Sequence, residues 1–270
     1  MKITVVQPRY YSGENPDEKI ANFLLENIET NLEEGSLTVL PEYSNAGGPI
    51  DVESEIKALS RAESMLEKAS LSAKKNKCYI AINVLIKRDG EIKNSTYLYG
   101  KDGEVKFIYD KQHLPPAEVK FGVTPGTGSK KCSCTAVVDG IRFAFMTCYD
   151  VYFNEQIEHI AKFKPDVIII PGYQRGERVD IIQAQNKILA FRCNSYIARS
   201  SFSMDNVERG GSSMIVAPDG NILLNATDKV GAFSLVVNIS EKYTRPAGFG
   251  GKMVRNDDFI NDGLCPDAFN

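Results

Sequence analysis

The sequence contains only two histidines and neither an HExxH motif nor paired CxxC motifs, so it offers few ligands for a catalytic zinc ion. It also has no GxGxxG segment and no phosphate-binding loop, so no motif implies a nucleotide cofactor. Cys132 and Cys134 form a CxC pair, which is a weak metal signal, and two thiols of an edge strand are the simpler interpretation. We therefore expect no metal and no cofactor.

Long hydrophobic runs, an excess of one charge and a regular cysteine spacing are also missing. The formal net charge of −3 over 270 residues gives no electrostatic reason to expect nucleic acid or an anionic membrane as a partner. The longest purely apolar run, residues 167–171, is far shorter than a membrane span, and the chain begins with a strand pattern rather than a signal peptide. Six irregularly spaced cysteines do not suggest a disulfide framework, so we expect a cytoplasmic protein.

Strand-like and helix-like segments alternate along most of the chain. Amphipathic patterns predict helices near residues 16–32, 53–75, 153–163 and 179–193. In the second of these helices we expect the inward stripe to run from Ile56 to Ala69. Mixed strands with paired helices favour sheets covered by helices on their outer faces. Residues 1–240 form the predicted domain, whereas residues 241–270 form a tail without periodicity that is expected to pack on the domain or across a dimer partner.

Three reactive side chains follow predicted strands. Cys148 ends an alternating apolar run and precedes a predicted helix. Glu42 and Lys111 each follow a short strand-like segment. Because sites of open α/β sheets form at the carboxyl ends of strands, these three side chains could meet in one pocket.

A thiol, an ammonium and a carboxylate suffice for acyl transfer from a carbonyl–nitrogen bond. The ammonium would stabilise both the thiolate and the later oxyanion, and the carboxylate would take the thiol proton. Each residue alone has a plainer explanation. Cys148 could be a small core residue, Lys111 a solvated loop charge and Glu42 a helix-capping carboxylate.

The residues that flank these side chains resemble the signature segments of the carbon–nitrogen hydrolase (nitrilase) family. The segments occur in the family's order, and they are LPEY at 40–43, KQHLPPAE at 111–118 and CYDVYFNE at 148–155. The resemblance extends over roughly residues 1–240 and implies an α/β fold, a four-layer αββα sandwich. It also implies a catalytic triad of Glu42, Lys111 and Cys148, with Glu118 supporting the lysine and the substrate.

The residues expected to contact the substrate are less well marked. Arg175 follows a predicted strand and could bind a substrate carboxylate through two hydrogen bonds, although pairing with Glu177 or Asp180 is the alternative. Tyr149 and Tyr173 flank the expected pocket, where they either shape the substrate space or fill the core. The backbone N–H of Tyr149 is also expected to help hold the oxyanion.

The sequence predicts a cysteine-dependent hydrolase that cleaves a small amide or N-carbamoyl compound through a thioester acyl-enzyme. A nitrilase or an acyltransferase would use the same triad, and a catalytically silent binding or scaffold protein is the alternative from another class. The expected partner is a small-molecule amide substrate. The resemblance further implies a homodimer, or a higher homo-oligomer, that packs helix to helix.

Overall fold

The computed structural model describes residues 1–11, 15–30, 32–47, 52–126 and 133–264. In chain order the strands are β1 (Lys2–Gln7), β2 (Leu37–Val39), β3 (Tyr79–Arg88), β4 (Glu91–Tyr99), β5 (Val105–Asp110), β6 (Thr135–Val138), β7 (Ile141–Phe145), β8 (Val167–Pro171), β9 (Tyr196–Ser200), β10 (Met214–Val216), β11 (Ile222–Asn225), β12 (Gly231–Val236), β13 (Thr244–Pro246) and β14 (Met253–Arg255). The helices are α1 (Pro16–Thr30), α2 (Val52–Asn76), α3 (Pro116–Lys120), α4 (Asn154–Phe163), α5 (Val179–Cys193) and α6 (Asn256–Asp262).

Two mixed sheets of six strands form the centre of the fold. The first has the order β12-β1-β2-β3-β4-β5 and the second the order β11-β10-β9-β8-β7-β6. In each sheet three neighbouring strands are parallel, β1 to β3 in the first and β7 to β9 in the second. The other neighbours pair antiparallel. The two sheets therefore have matching halves.

The sheets pack face to face, and helices cover their outer faces. Leu37 and Val39 of the first sheet share a buried cluster with Phe143 and Ile168 of the second. Helices α1 and α2 cover the first sheet, and α4 and α5 cover the second. Strand β8 is buried along its whole length because both of its faces are covered, which explains its continuous apolar run. This arrangement is the four-layer αββα sandwich that the resemblance implied, and the fold prediction is confirmed.

The inward stripe of α2 differs from the predicted one at its start. Ile56 is 65% exposed, whereas Ala58, Ala62, Leu66 and Ala69 are buried. Ile56 precedes Ala58 by two positions, which places it on roughly the opposite side of a helix with 3.6 residues per turn. The expectation for Ile56 was therefore wrong.

The described part of the tail packs on its own chain. Strands β13 and β14 form a separate hairpin, and α6 lies against α5. The Asn256 side chain donates to the Phe191 carbonyl at 2.6 Å, and the Asn194 amide donates to Asp257 Oδ1 at 2.7 Å. Two buried polar contacts therefore fix the start of α6 to the end of α5. Within the residues that the structure covers, no helix is both long and apolar enough to cross a membrane.

Candidate active site

Cys148 lies at the sharp turn between β7 and α4, where it opens a short 3-10 helix, Cys148–Tyr152. Its φ of 47° falls in the left-handed region that residues other than glycine rarely adopt. Asp150 stabilises the turn because its Oδ2 accepts a hydrogen bond from the Thr147 N–H at 2.8 Å. The Asp150 N–H also donates to the Thr147 carbonyl at 3.0 Å. The backbone is therefore held in a strained conformation just beyond the end of β7.

The buried carboxylate of Asp150 also ties this turn to β5 and to the loop that follows it. It accepts hydrogen bonds from the Tyr109 hydroxyl at 2.6 Å and from the His113 N–H at 2.9 Å. The His113 ring lies 2.9 Å from the same carboxylate through Nδ1 and stacks on Phe153 at a centroid distance of 3.8 Å. Asp150 thus connects the cysteine turn to the segment that carries Lys111.

Glu42 lies in the loop after β2 and is only 1% exposed. Its Oε1 accepts hydrogen bonds from Lys111 Nζ at 2.7 Å and from Asn94 Nδ2 at 2.8 Å. The next residue, Tyr43, has a left-handed φ of 55°, and its N–H donates to Asn83 Oδ1 at 2.8 Å. Two buried amide side chains from β3 and β4 therefore hold the loop that carries Glu42.

Lys111 is buried between two carboxylates. Its Nζ donates to Glu42 Oε1 and to Glu118 Oε1, both at 2.7 Å. Burial alone would lower the pKa of Lys111, but the charges of Glu42, Cys148 and Glu118 outweigh it and raise that pKa above its usual range. Burial raises the pKa of Glu118 to about 7, opposed by Lys111 and assisted by the charge of Glu42. Lys111 is therefore a fixed ammonium, while Glu118 titrates near neutrality.

Burial and the neighbouring carboxylate both favour the neutral thiol of Cys148. Burial and then the charge of Glu42 raise the pKa of this thiol well above its usual range, and Lys111 offsets them only in part. Glu42 Oε2 is buried and has no hydrogen-bond partner among the described residues. Since the thiol needs a base before it can attack, Glu42 Oε2 is available as the acceptor of its proton.

These side chains line a cavity of about 260 Å³. Its lining residues are Glu42, Tyr43, Leu85, Lys111, Pro115, Ala117, Glu118, Phe121, Val123, Cys148, Tyr173 and Arg175. Apart from the charged groups and the two tyrosines the walls are apolar, and the segment around α3 forms one of them. Such a cavity suits a small molecule whose reactive group is polar and whose body is apolar or short.

Two of the three predicted substrate contacts reach the cavity. Tyr173 and Arg175 line it, and the exposed Arg175 guanidinium lies over the rings of Tyr10 and Tyr173, 5.1 and 4.8 Å from their centroids. Arg175 Nη1 donates to the Tyr10 hydroxyl at 2.6 Å. The side chain of Tyr149 is not among the lining residues and packs on Tyr152 and Phe153 instead. Any contact of Tyr149 with substrate therefore rests on its backbone N–H.

Sequence reasoning missed the polar groups behind the cavity. Asn83 and Asn94 lie in strands and are 0% and 1% exposed, and both belong to the network around Glu42. An asparagine inside an otherwise apolar strand is a usable signal, because a buried amide must find hydrogen-bond partners. Arg199 is also fully buried, and its guanidinium donates to the carbonyls of Gly211 and Ser212 at 2.6 and 2.9 Å.

The other candidates lie apart from this cavity. Arg178, which lies three residues after Arg175, pairs with Asp180, the partner that the sequence offered as the alternative for Arg175. Of the CxC pair, Cys134 is buried and Cys132 lies outside the described residues. In the parts of the chain that the structure describes, no group of three or more His, Cys, Asp or Glu side chains is arranged to hold a metal ion.

The chain is similar to known hydrolases over most of its length. The family model for carbon–nitrogen hydrolases matches residues 2–246. A protein named hydrolase in agr operon, from Staphylococcus aureus, is 23% identical over 247 residues, which cover 89% of this chain and 92% of that protein. The 2-oxoglutaramate amidase of Bacillus subtilis (strain 168) is 23% identical over 220 residues, or 79% of this chain and 82% of that enzyme. Among solved structures, a mutant of the Nesterenkonia AN1 amidase from the nitrilase superfamily has a TM-score of 0.73 at 14% identity and covers 97% of this chain and 93% of its own.

Proposed function

The chain belongs to the carbon–nitrogen hydrolase family, and we propose that it is a cysteine-dependent hydrolase of a small amide or N-carbamoyl compound. The observation that carries this proposal is the position of Glu42, Lys111, Glu118 and Cys148 around one cavity. Together these side chains supply a base, a fixed positive charge and a nucleophile. They are the groups that acyl transfer from a carbonyl–nitrogen bond requires.

The first half-reaction forms a thioester. Glu42 Oε2 takes the proton of the Cys148 thiol as the sulfur attacks the carbonyl carbon of the substrate. The Lys111 ammonium and the N–H of Tyr149 stabilise the oxyanion. When the carbon–nitrogen bond breaks, the proton on Glu42 passes to the nitrogen, and ammonia or an amine leaves.

The second half-reaction hydrolyses the thioester. Glu42, ionised again, takes a proton from a water molecule as its oxygen attacks the thioester carbon. The carbon–sulfur bond breaks, and the proton returns from Glu42 to the sulfur. Glu118 holds Lys111 in place during both halves through its 2.7 Å hydrogen bond.

The position of Arg175 supports a substrate that carries a carboxylate. Its guanidinium is exposed where it lines the cavity and forms no ion pair with a carboxylate among the described residues, although two tyrosine rings fix its plane. A planar guanidinium in this state suits two hydrogen bonds to a carboxylate. The related 2-oxoglutaramate amidase is named for a small amide of that kind.

Arg175→Gln should raise the KM of carboxylate-bearing amides by about tenfold while leaving neutral amides of similar size unchanged. Arg178→Gln is the matched control, because this exposed guanidinium lies three residues away and already pairs with Asp180. Equal losses with charged and neutral amides would argue against a carboxylate contact at Arg175.

A screen for ammonia release tests the activity itself. Small amides of mono- and dicarboxylic acids, N-carbamoyl compounds and nitriles would be incubated with the wild-type protein and with Cys148→Ala. We expect turnover of at least one amide or N-carbamoyl compound by the wild-type protein and none by the variant. Turnover of nitriles alone would favour a nitrilase, and no turnover in any class would contradict the hydrolase.

We also propose that the protein is a cytoplasmic homodimer. A reducing compartment suits Cys148, since the four cysteines within the described residues are free thiols.

The dimer surface that we propose lies on helix α5. This helix leaves Ile181 and Ile188 exposed, and their seven-residue spacing places them on one face. Light scattering at micromolar concentration should give a dimer that Ile188→Glu weakens. A monomeric wild-type protein would refute the dimer.

A further inference from the structure

We propose that Asn94 is a positioning residue that orients Glu42, so that Oε1 stays engaged and Oε2 is the oxygen that takes the thiol proton. This inference rests on the proposed function, because it assigns a role in the proton transfer from Cys148 to Glu42. Asn94 is not among the residues that line the cavity, and it therefore acts through Glu42.

Three hydrogen bonds in series give Asn94 a defined orientation. The backbone N–H of Tyr43 donates to Asn83 Oδ1 at 2.8 Å, and a backbone N–H can only donate. The Asn83 amide must therefore use Nδ2 toward Asn94 Oδ1, at 2.7 Å. Asn94 is left with Nδ2 toward Glu42 Oε1, at 2.8 Å. The direction of the series is set by the backbone N–H of Tyr43. A flipped Asn94 would set its oxygen against Glu42 Oε1 and its NH2 group against the NH2 group of Asn83.

Asn94 also contacts the segment that carries the ammonium. Its backbone carbonyl accepts a hydrogen bond from the Lys111 N–H at 2.9 Å. One strand residue therefore fixes the main chain at Lys111 and the carboxylate of Glu42. The side chains of these two residues are in contact, with Lys111 Nζ 2.7 Å from Glu42 Oε1. Because Asn94 is only 1% exposed, water does not compete for these bonds.

The arrangement makes the two oxygens of Glu42 unequal. Oε1 receives hydrogen bonds from Lys111 and Asn94, whereas Oε2 is buried and has no hydrogen-bond partner among the described residues. Without the Asn94 amide the carboxylate would lose one of the two contacts that fix its rotation. Lys111 alone would allow a swap of the two oxygens. If the free oxygen of Glu42 points at the Cys148 sulfur for only part of the time, proton transfer from the thiol to Glu42 is slower.

The charged and titratable groups that face Glu42 come from several elements. They are the Lys111 ammonium, the Glu118 carboxyl of α3, the Cys148 thiol and the Tyr43 hydroxyl around the cavity, with the buried Arg199 guanidinium of β9 behind it. Asn94→Ala changes none of these groups, whereas Asn94→Asp adds one carboxyl beside Glu42. Loss of a donor to Glu42 favours the protonated carboxyl, so activity should then disappear at higher pH on the acid side.

The experiment compares Asn94→Asp and Asn94→Ala with the control Asn194→Gly. The aspartate variant keeps the shape of the side chain but replaces the N–H donor with a carboxyl group that adds charge beside Glu42, whereas Asn94→Ala removes the donor without adding charge. The control removes another buried amide that donates to a carboxylate, Asp257, far from the cavity, and glycine tolerates the left-handed φ of 51° at that position. For the wild-type protein and each variant, kcat and KM would be measured across pH with the best amide, together with the rate at which iodoacetamide alkylates Cys148.

We expect kcat to fall by about 10- to 100-fold in both Asn94 variants, with KM within about twofold of the wild-type value. The acid limbs of the pH profiles of kcat/KM and of Cys148 alkylation should move to higher pH in Asn94→Ala. They should move further in Asn94→Asp, because the added carboxyl competes with Oε1 of Glu42 for one proton. Asn194→Gly should lose stability and keep both profiles. If Asn94→Ala does not fold, Asn94→Leu decides, because it removes the donor, fills the space of the side chain and adds no charge.

The inference would be overturned if folded Asn94 variants kept the wild-type acid limbs in the pH profiles of kcat/KM and of Cys148 alkylation. A lower kcat with unchanged pH profiles would indicate only a loss of stability. Alkylation needs no substrate, so the role of Asn94 is tested even if no amide is turned over. In that case the proposed hydrolase would fail while the orientation of Glu42 by Asn94 would stand or fall on the alkylation profiles.

Discussion

The two central sheets share a layout but position their reactive groups by different means. In the first sheet, consecutive residues 93–96 of β4 are polar and buried, and side-chain amides hold Glu42. In the second sheet, β8 is apolar throughout, and Cys148 is held by a strained backbone turn that Asp150 caps. The position of the Glu42 carboxylate therefore depends on hydrogen bonds from side chains. The position of the Cys148 thiol depends instead on the path of its main chain.

We expect the largest effect from substitutions of the three reactive side chains that the two sheets bring together. Cys148→Ala should abolish turnover, and Lys111→Ala and Glu42→Gln should each lower kcat by about 10³-fold or more, because groups that act as a unit are not additive. Ammonia release and thermal unfolding would be measured side by side. A folded Cys148→Ala protein that still releases ammonia would refute the nucleophile.

The second prediction concerns Asp150, which caps the backbone turn of Cys148 after the second sheet. Asp150→Asn should lower the free energy of unfolding by about 3 kcal/mol and lower kcat as well, since a buried acceptor of several hydrogen bonds is lost. Asp139→Asn is the matched control, because Asp139 accepts a tyrosine hydroxyl at 2.6 Å as Asp150 does, but at an exposed turn. We expect a change below about 1 kcal/mol for the control in urea denaturation. Equal changes in the two variants would show that the cap does not hold the cysteine turn.

The smallest expected effect concerns the histidine beside that cap. The pKa of His113 is raised, first by its hydrogen bond to Asp150 and against burial, with a further contribution from Glu155. A raised folded pKa stabilises the chain fully below the ordinary value of 6.5, and this stabilisation is lost as pH rises through the higher folded value. His113 and His159 line one cavity at the surface, and His159 would be left unchanged in this experiment.

His113→Gln should therefore destabilise the protein by about 1 kcal/mol at low pH and by less at high pH. Urea denaturation at about pH 5.5 and about pH 9 measures the difference, while the residual activity shows whether the cysteine turn has moved. A stability difference that grows with pH would contradict the ion pair of His113 with Asp150.

The strand and helix pattern was readable from the sequence because both sheets are regular and deeply buried. Cys148, Glu42 and Lys111 each follow a strand, which allowed them to meet, and the resemblance of their flanking segments to a known family implied that they act together. The structure places all three around one cavity. Asn94 and Asn83 were not found, since pairing between β3 and β4 sets which amides meet, and a single sequence does not show that register. The short elements of the tail were also missed, although its packing on the domain was one of the two expected outcomes: three-residue strands and the seven-residue helix α6 are too short to give a periodic pattern.

The left-handed backbone at Cys148 has a consequence for what evolution can optimise in this chain. A side chain in that conformation costs on the order of 1 kcal/mol relative to glycine, and every resting molecule carries that cost. Selection for thermal robustness alone would therefore favour glycine at this position. If Cys148 is the nucleophile that we propose, its thiol at this position trades stability for reactivity.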